Sequence, residues 1–141
     1  MVVKDVATNF MYIYPSGRRT ARDAILALKR FIGHKDQVGV MYNYNAPELL
    51  SALKILEWRH VLGKEYISKS NAIAERSIGT ALEGARTNLH QAGLHHMYWP
   101  HAARHWCMMQ NVISRSGSDS PGKMRFGEKL QRSTDSFWVP N

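Results

Sequence analysis

The sequence predicts a mixed α/β domain in which helices cover a small sheet. Three observations lead there. Short β-branched and aromatic runs near the start give way to longer stretches of helical periodicity. The two kinds of segment follow the order β-β-α-β-α-(β)-α-α, which calls for a mixed sheet with helices on its faces. The 141 residues, 44% of them hydrophobic, suffice for one core and argue against wholesale disorder.

Residues 2–6 and 10–14 are strand-forming runs separated by Ala7-Thr8-Asn9, a β-hairpin closed by Pro15-Ser16-Gly17. Thr20 is placed to cap the next segment, with Asp23 as its capping-box partner. Ala24, Leu26, Ala27, Leu28 and Phe31 then form a helix that stops at Gly33. Val38, Val40 and Tyr42 alternate as a short strand. Asn45 is expected to cap a helix over residues 46–57, with Pro47 in its first turn. Residues 59–62 read as a brief strand and 63–70 as a polar loop. The following helix carries Glu75 in its first turn. Ile78, Leu82, Ala85 and Leu89 give it an apolar stripe, and Gly93 ends it. A last helix covers residues 100–113, opened by Tyr98-Trp99-Pro100. Residues 114–122 are rich in Ser, Gly, Asp and Pro and read as a linker, and residues 124–141 as an extended tail. The chain thereby divides into a domain over residues 1–113 and a linker with tail over 114–141. No internal repeat is present.

Nineteen Lys and Arg against eleven Asp and Glu leave a net charge of +8. That excess favours polyanionic partners, nucleic acid first and an acidic membrane surface second. One cysteine, Cys107, excludes an internal disulfide framework and suggests a reducing compartment. The N-terminus shows no charged leader before an apolar run, so no signal peptide is expected. No stretch approaches the ~20 apolar residues that span a bilayer. The expectation is a soluble, intracellular chain without a membrane partner.

Two segments carry the chemistry. One is Ser70-Asn71-Ala72-Ile73-Ala74-Glu75-Arg76-Ser77-Ile78; the other, upstream, is Asn43-Tyr44-Asn45-Ala46-Pro47-Glu48-Leu49. With the opening hairpin Val2-Val3-Lys4-Asp5-Val6 to Tyr14-Pro15, Glu83-Gly84-Ala85-Arg86-Thr87, and Ala92-Gly93-Leu94 to Tyr98-Trp99-Pro100, they resemble the integrase catalytic core of retroelements. The copia-type elements are the nearest match. The resemblance covers residues 2–113 and rests on the order and spacing of the motifs together. It implies a ribonuclease H-like mixed sheet flanked by helices. It also implies ancestral DNA integration by metal-dependent strand transfer within a retrotransposon polyprotein. That chemistry needs two divalent ions, one activating the attacking oxygen and one stabilising the leaving oxygen. Magnesium (or manganese) takes hard oxygen ligands, so the family uses two aspartates and a glutamate.

Carried over residue by residue, Glu75 matches the third carboxylate and is the expected catalytic and metal residue. Tyr44 matches the second aspartate. A phenol is neutral near pH 7, with a pKa of about 10, and is a poor magnesium ligand. The 30 residues between Tyr44 and Glu75 are fewer than the family habit. The first aspartate belongs to the strand before the hairpin and, in this alignment, lies upstream of Met1. Asp5 is therefore read as a hairpin-turn residue rather than a metal ligand. The implied fold lacks its first, central strand, which predicts marginal stability or a rearranged sheet pairing residues 2–6 with 38–42. One carboxylate of three cannot hold two metals, so the chain is expected to be catalytically inactive. The alternative is a non-enzymatic, sequence-independent nucleic-acid-binding module. Lys64, Lys69, Arg76 and Asn45 are the expected DNA contacts. The resemblance further implies a homodimer and a cytoplasmic and nuclear location.

Other signals read more plainly. His101 and His105 with His95, His96 and Cys107 offer a transition-metal set, but the spacing fits no zinc pattern and surface histidines are preferred. Cys107, among Trp106, Met108 and Met109, reads as buried and inert. Tyr98, Trp99 and Trp106 either stack bases or fill the core; Trp99-Pro100 at a helix start favours the core. Arg18, Arg19, Arg22, Lys29, Arg30 and Lys35 form the densest basic run, either a phosphate track or a solvated helix face.

Overall fold

The structure, a computed structural model, describes residues 1–33, 36–43, 45–62, 68–114 and 117–127, with residues 68–71 described for backbone alone. Strand β1 (Val2–Lys4) pairs antiparallel with β2 (Met11–Ile13), setting Val2 opposite Ile13 and Lys4 opposite Met11. The turn between them is held by side chains. Asp5 accepts from the Ala7 N–H at 3.0 Å and the Thr8 hydroxyl at 2.6 Å, and Thr8 Oγ1 accepts from the Phe10 N–H. Asn9 takes the left-handed conformation, φ 61°, that asparagine tolerates well.

Helix α1 (Ala21–Ile32) starts where Thr20 accepts from the Asp23 N–H at 3.1 Å. The expected capping box closes on that side only, because the Asp23 carboxylate accepts from Ser16 Oγ instead. Ala24, Ala27, Leu28 and Phe31 form its buried stripe, and Gly33 at φ 74° ends it.

Strand β3 (Met41–Asn43) and β4 (His60–Leu62) pair in parallel through the crossover helix α2 (Pro47–Ile55). Val38 and Val40 precede β3 rather than belonging to it. The N-cap of α2 is Ala46, without a side-chain cap bond, so Asn45 does not fill the capping role expected of it. Pro47 dictates this: its fixed φ suits the first helical position, which places the cap one residue before it.

Helix α3 (Ser68–Gln91) is 24 residues long. Gly93 at φ 62° closes it with a Schellman motif, its N–H on the His90 carbonyl and the Leu94 N–H on that of Leu89. A single 3-10 turn (His96–Tyr98) leads into α4 (Trp99–Val112). The core joins the hairpin to these two helices through Met11, Ile13, Ala81, Ala85, Ala103 and Cys107. Small residues at the α3–α4 crossing let the helices approach closely, and Gly84 lies against the ring of Trp106. Trp106 packs on the core; Trp99, expected to do so, is 42% exposed. The α3 stripe falls at Ser77, Ala81, Ala85 and Leu89, with Leu82 37% exposed, so it is rotated from the expected face.

The outer edge of β2 is closed by side chains of α4. Asn111, 2% exposed, accepts from the Met11 N–H at 3.0 Å and donates to the Met11 carbonyl at 2.8 Å. The backbone of Ile13 hydrogen-bonds to Cys107. A last helix, α5 (Pro121–Phe126), lies in the stretch read from sequence as linker and tail. Ser120 caps it by accepting from the Lys123 N–H, and Gly127 at φ 73° ends it. Arg125, its side chain 6% exposed, reaches back into the domain. Its guanidinium donates to the Phe31 carbonyl at 2.9 Å, pairs with Asp36 at 2.9 Å and Asp5 at 3.4 Å, and lies 4.5 to 5.7 Å from the rings of Phe10, Phe31 and Phe126. Six residues with a Ser cap are too few to show periodicity, which is why the sequence does not reveal the helix.

Among the described residues the strands form two separate pairs, β1-β2 and β3-β4. The rearranged pairing of residues 2–6 with 38–42 is not adopted. A cavity of about 1760 Å³ instead extends along β1, β3, α1 and α3.

Candidate functional site

Glu75 is the eighth residue of α3, two turns from its start rather than in its first turn, because the helix begins at Ser68. Glu75, Ile78 and Leu82, at i, i+3 and i+7, share one side of the helix. Ile78 and Leu82 line the cavity while Glu75 is exposed. A carboxylate here keeps its water at no burial cost. Arg76 and Asn45 are also exposed. Tyr44 and Lys64 lie outside the described residues, and of Lys69 only the backbone is described.

Asp5 is occupied as a turn residue, with its two local donors and Arg125 around it. Among the described residues, no three of His, Cys, Asp and Glu converge as a metal-ion ligand set. Glu75 therefore has no described carboxylate partner, and a two-ion site does not fit the described donors. His95, His96, His101 and His105 are all exposed, as surface histidines are. His95 instead accepts from the Met97 N–H, and its ring lies 3.9 Å from that of His96 at a tilt of 40°.

Cys107 is fully buried, and burial pushes its thiol from an ordinary pKa of 9.0 up to about 12. A neutral thiol at that depth is no nucleophile. Burial likewise raises the phenols of Tyr12 and Tyr14 above their ordinary range.

The described cations of the densest basic run lie outside. Arg18, Arg19, Arg22, Lys29 and Arg30 are exposed along the entry to α1 and its outer face. No described helix is long and apolar enough to cross a membrane. Sequence reasoning missed the residues that organise this region: Arg125, Asn111 and Gly84. Of these only Gly84, a glycine amid helix-forming neighbours, left a signal, since such a glycine costs ~1 kcal/mol unless packing requires it.

None of the known protein-family models matches the chain, and no curated protein does. Solved structures do. The chain is similar over 99% of its length, with a TM-score of 0.73 and 18% identity, to a chain of the simian T-cell lymphotropic virus intasome in complex with the PP2A regulatory subunit B56 gamma. It spans about half (52%) of that chain. It is also similar to the catalytic core domain of BIV integrase, with a TM-score of 0.64 and 16% identity over 87% of this chain and 82% of that one. The fold expected from the hairpin, the Pro47 helix and the Glu75 helix is thereby met: this chain has the ribonuclease H-like fold of an integrase catalytic core, its described strands forming two separate pairs.

Proposed function

We propose that the chain is an integrase-core fragment from a retrotransposon polyprotein, whose ancestral role was DNA integration, and that it lacks strand-transfer activity. What supports this reading is the pairing of an integrase-core fold with described residues that gather no group of three possible metal ligands. Asp5 belongs to the hairpin turn, Tyr44 stands at the second carboxylate position, and Glu75 is left on the surface of α3. Magnesium or manganese would in this family be held by three carboxylates, and the residues described here do not provide them. Glu75 is the surviving member of that set.

The test is strand transfer by the purified protein with magnesium or manganese. The expected result is no joined product, with or without Glu75→Gln. Turnover that disappears in Glu75→Gln would refute the reading. Tyr44→Asp alone is also expected to give no joining, because Asp5 is held in the hairpin turn and the described residues offer no further carboxylate beside Glu75.

A second reading, sequence-independent DNA binding without chemistry, is favoured by the exposed cations. Lys64, Lys69, Arg76 and Asn45 are its proposed contacts. Binding should weaken steeply with salt, and each lost phosphate contact should lower the log–log salt slope by roughly 0.9 on duplex DNA. A Lys64→Ala/Lys69→Ala/Arg76→Ala protein that binds as well as the parent would exclude this surface. Homodimerisation, implied by the family, belongs to the same proposal and is read by sedimentation.

A further inference from the structure

Helix α1 has one buried and one basic face. At about 100° per residue, Ala24, Ala27, Leu28 and Phe31 fall on the buried side, and Arg22, Leu26, Lys29 and Arg30 fall within a ~100° arc opposite. Arg18 and Arg19 stand just ahead of the helix. Ser16 fixes their loop: its Oγ accepts from the Arg18 N–H at 3.2 Å and lies 3.1 Å from the carboxylate of Asp23 in the first turn. All five cations are exposed, and none forms an ion pair with a described residue. Over residues 16–33 they face one carboxylate, Asp23, while Asp36 beyond the helix is taken by Arg125.

A solvated helix face does not account for this pattern. The helix macrodipole favours cations in the last turn, where Lys29 and Arg30 stand, and acids in the first. Arg18, Arg19 and Arg22 crowd the opposite end, where positive charge works against the helix. Four of the five are arginines, whose planar fork pairs bidentately with phosphate. Leu26 is the one large apolar side chain that α1 exposes, too little to enter a membrane, which takes a whole apolar stripe. The arc has no aromatic ring on which unpaired bases could stack. Its cations fall into two groups. Arg22 and Arg30 lie ~12 Å apart along the axis at ~1.5 Å per residue, the width of the major groove of a duplex at ~12 Å.

We propose that the outer face of α1 is a duplex-binding surface that grips the phosphate rows on either side of a major groove. Arg18, Arg19 and Arg22 hold one row, and Lys29 and Arg30 hold the other. Leu26, between the two groups, has no polar atom with which to read base edges, so the grip is independent of sequence. The surface is distinct from the contacts proposed on α3, since α1 packs chiefly against α2 whereas α3 packs against α4 and β1. The inference rests on the DNA-binding reading for its class of partner but shares none of its residues.

The experiment titrates the full 141-residue protein into a fluorescent duplex and reads anisotropy between ~50 and ~200 mM salt. Arg18→Ala/Arg19→Ala/Arg22→Ala should lower the log–log salt slope by ~2–3 and weaken binding at ~50 mM salt about tenfold or more. Lysine at the same three positions keeps the charge and should keep most of the slope. Arg59→Ala/Arg86→Ala/Arg104→Ala removes equal charge from other exposed positions and should lower the slope by less than ~1. In thermal melts the α1 alanine protein should be no less stable than the parent, because it loses cations from the positive end of the helix. Three results overturn the proposal. One is a parental slope in the α1 alanine protein. Another is an equal loss in the Arg59, Arg86 and Arg104 variant, which would trace binding to overall charge. The third is binding to a single strand, or to phosphatidylserine vesicles, as tight as to the duplex. A loss confined to Lys64→Ala/Lys69→Ala/Arg76→Ala would remove this proposal and leave the α3 contacts standing, and a loss confined to the α1 variant would do the reverse.

Discussion

Gly84→Ala tests how α3 and α4 are held together. On an isolated helix the change is favourable, because alanine exceeds glycine by ~0.8–1.0 kcal/mol in helix propensity. In this protein a Cβ at position 84 would lie 2.0 Å from Trp106 Nε1 and 2.1 Å from Cδ1. Carbon contacts settle at ~3.5–4.0 Å, so the helices must part by roughly 1.5 Å or the indole must leave its place. Overpacking of that kind costs ~1–3 kcal/mol, and the small core at Ala81, Ala85, Ala103 and Cys107 would loosen with it. The net expectation is a loss of up to ~2 kcal/mol, the packing penalty minus the propensity gain. Urea denaturation measures it, and tryptophan fluorescence reports the displaced indole. Trp106→Ala removes the obstacle, so Gly84→Ala made in that background should stabilise by up to ~1 kcal/mol. The difference between the two backgrounds gives a coupling of ~1–3 kcal/mol between the two positions. A Gly84→Ala protein as stable as the parent, with unchanged fluorescence, would refute the packing described for α3 and α4.

Arg125→Ala should cost at least ~3 kcal/mol in denaturant titrations, from a charge-assisted bond to the Phe31 carbonyl worth ~1.5–3 kcal/mol and three ring contacts of ~0.5–1 kcal/mol each, with little from the part-exposed Asp36. Arg125→Lys keeps the charge but not the fork and should lose about half of that. Asn111→Leu strands the buried N–H and C=O of Met11 and should cost ~2–4 kcal/mol, with Met11 amide exchange accelerated. Stability should fall as pH rises above about 9. Native Cys107 holds its proton up to about 12 while the unfolded thiol releases it near 9.0, so the unfolded state binds fewer protons across that window. Tyr12 and Tyr14 act in the same direction. Cys107→Ala should flatten the slope in thermal melts between pH 9 and 11, and an unchanged slope would count against the buried thiol.

Element types were legible wherever a local chemical rule operates. The hairpin, Thr20 at the start of α1, Pro47 at the first position of α2 and the close of α3 at Gly93 each follow from one or two residues. Long-range partnership was not legible. Nothing within residues 114–127 says that Arg125 has two carboxylates, Asp5 and Asp36, and two rings, Phe10 and Phe31, waiting 89 or more residues away. The rotated stripe of α3 has a similar cause. Leu82 is the more hydrophobic residue, but the tight crossing with α4 admits only small side chains, so Ala81 and Gly84 take the buried face. The family's carboxylate positions were readable as residue types. Whether Glu75 has partners depends on how separate elements meet, and that is settled by tertiary structure.

The pair of hydrogen bonds from Asn111 to Met11 has a consequence for how copies of this chain can associate. A bare hairpin has two edges and can stack without limit into a fibre. Here one edge is answered by an amide of the chain's own helix, which supplies a donor and an acceptor as a neighbouring strand would. Strand-to-strand contact through the hairpin is then restricted to the β1 edge. Two copies meeting there use the same edge on each side, form a closed two-fold pair and leave no hairpin edge to recruit a third. One buried asparagine thus sets an upper limit of two on assembly through this hairpin.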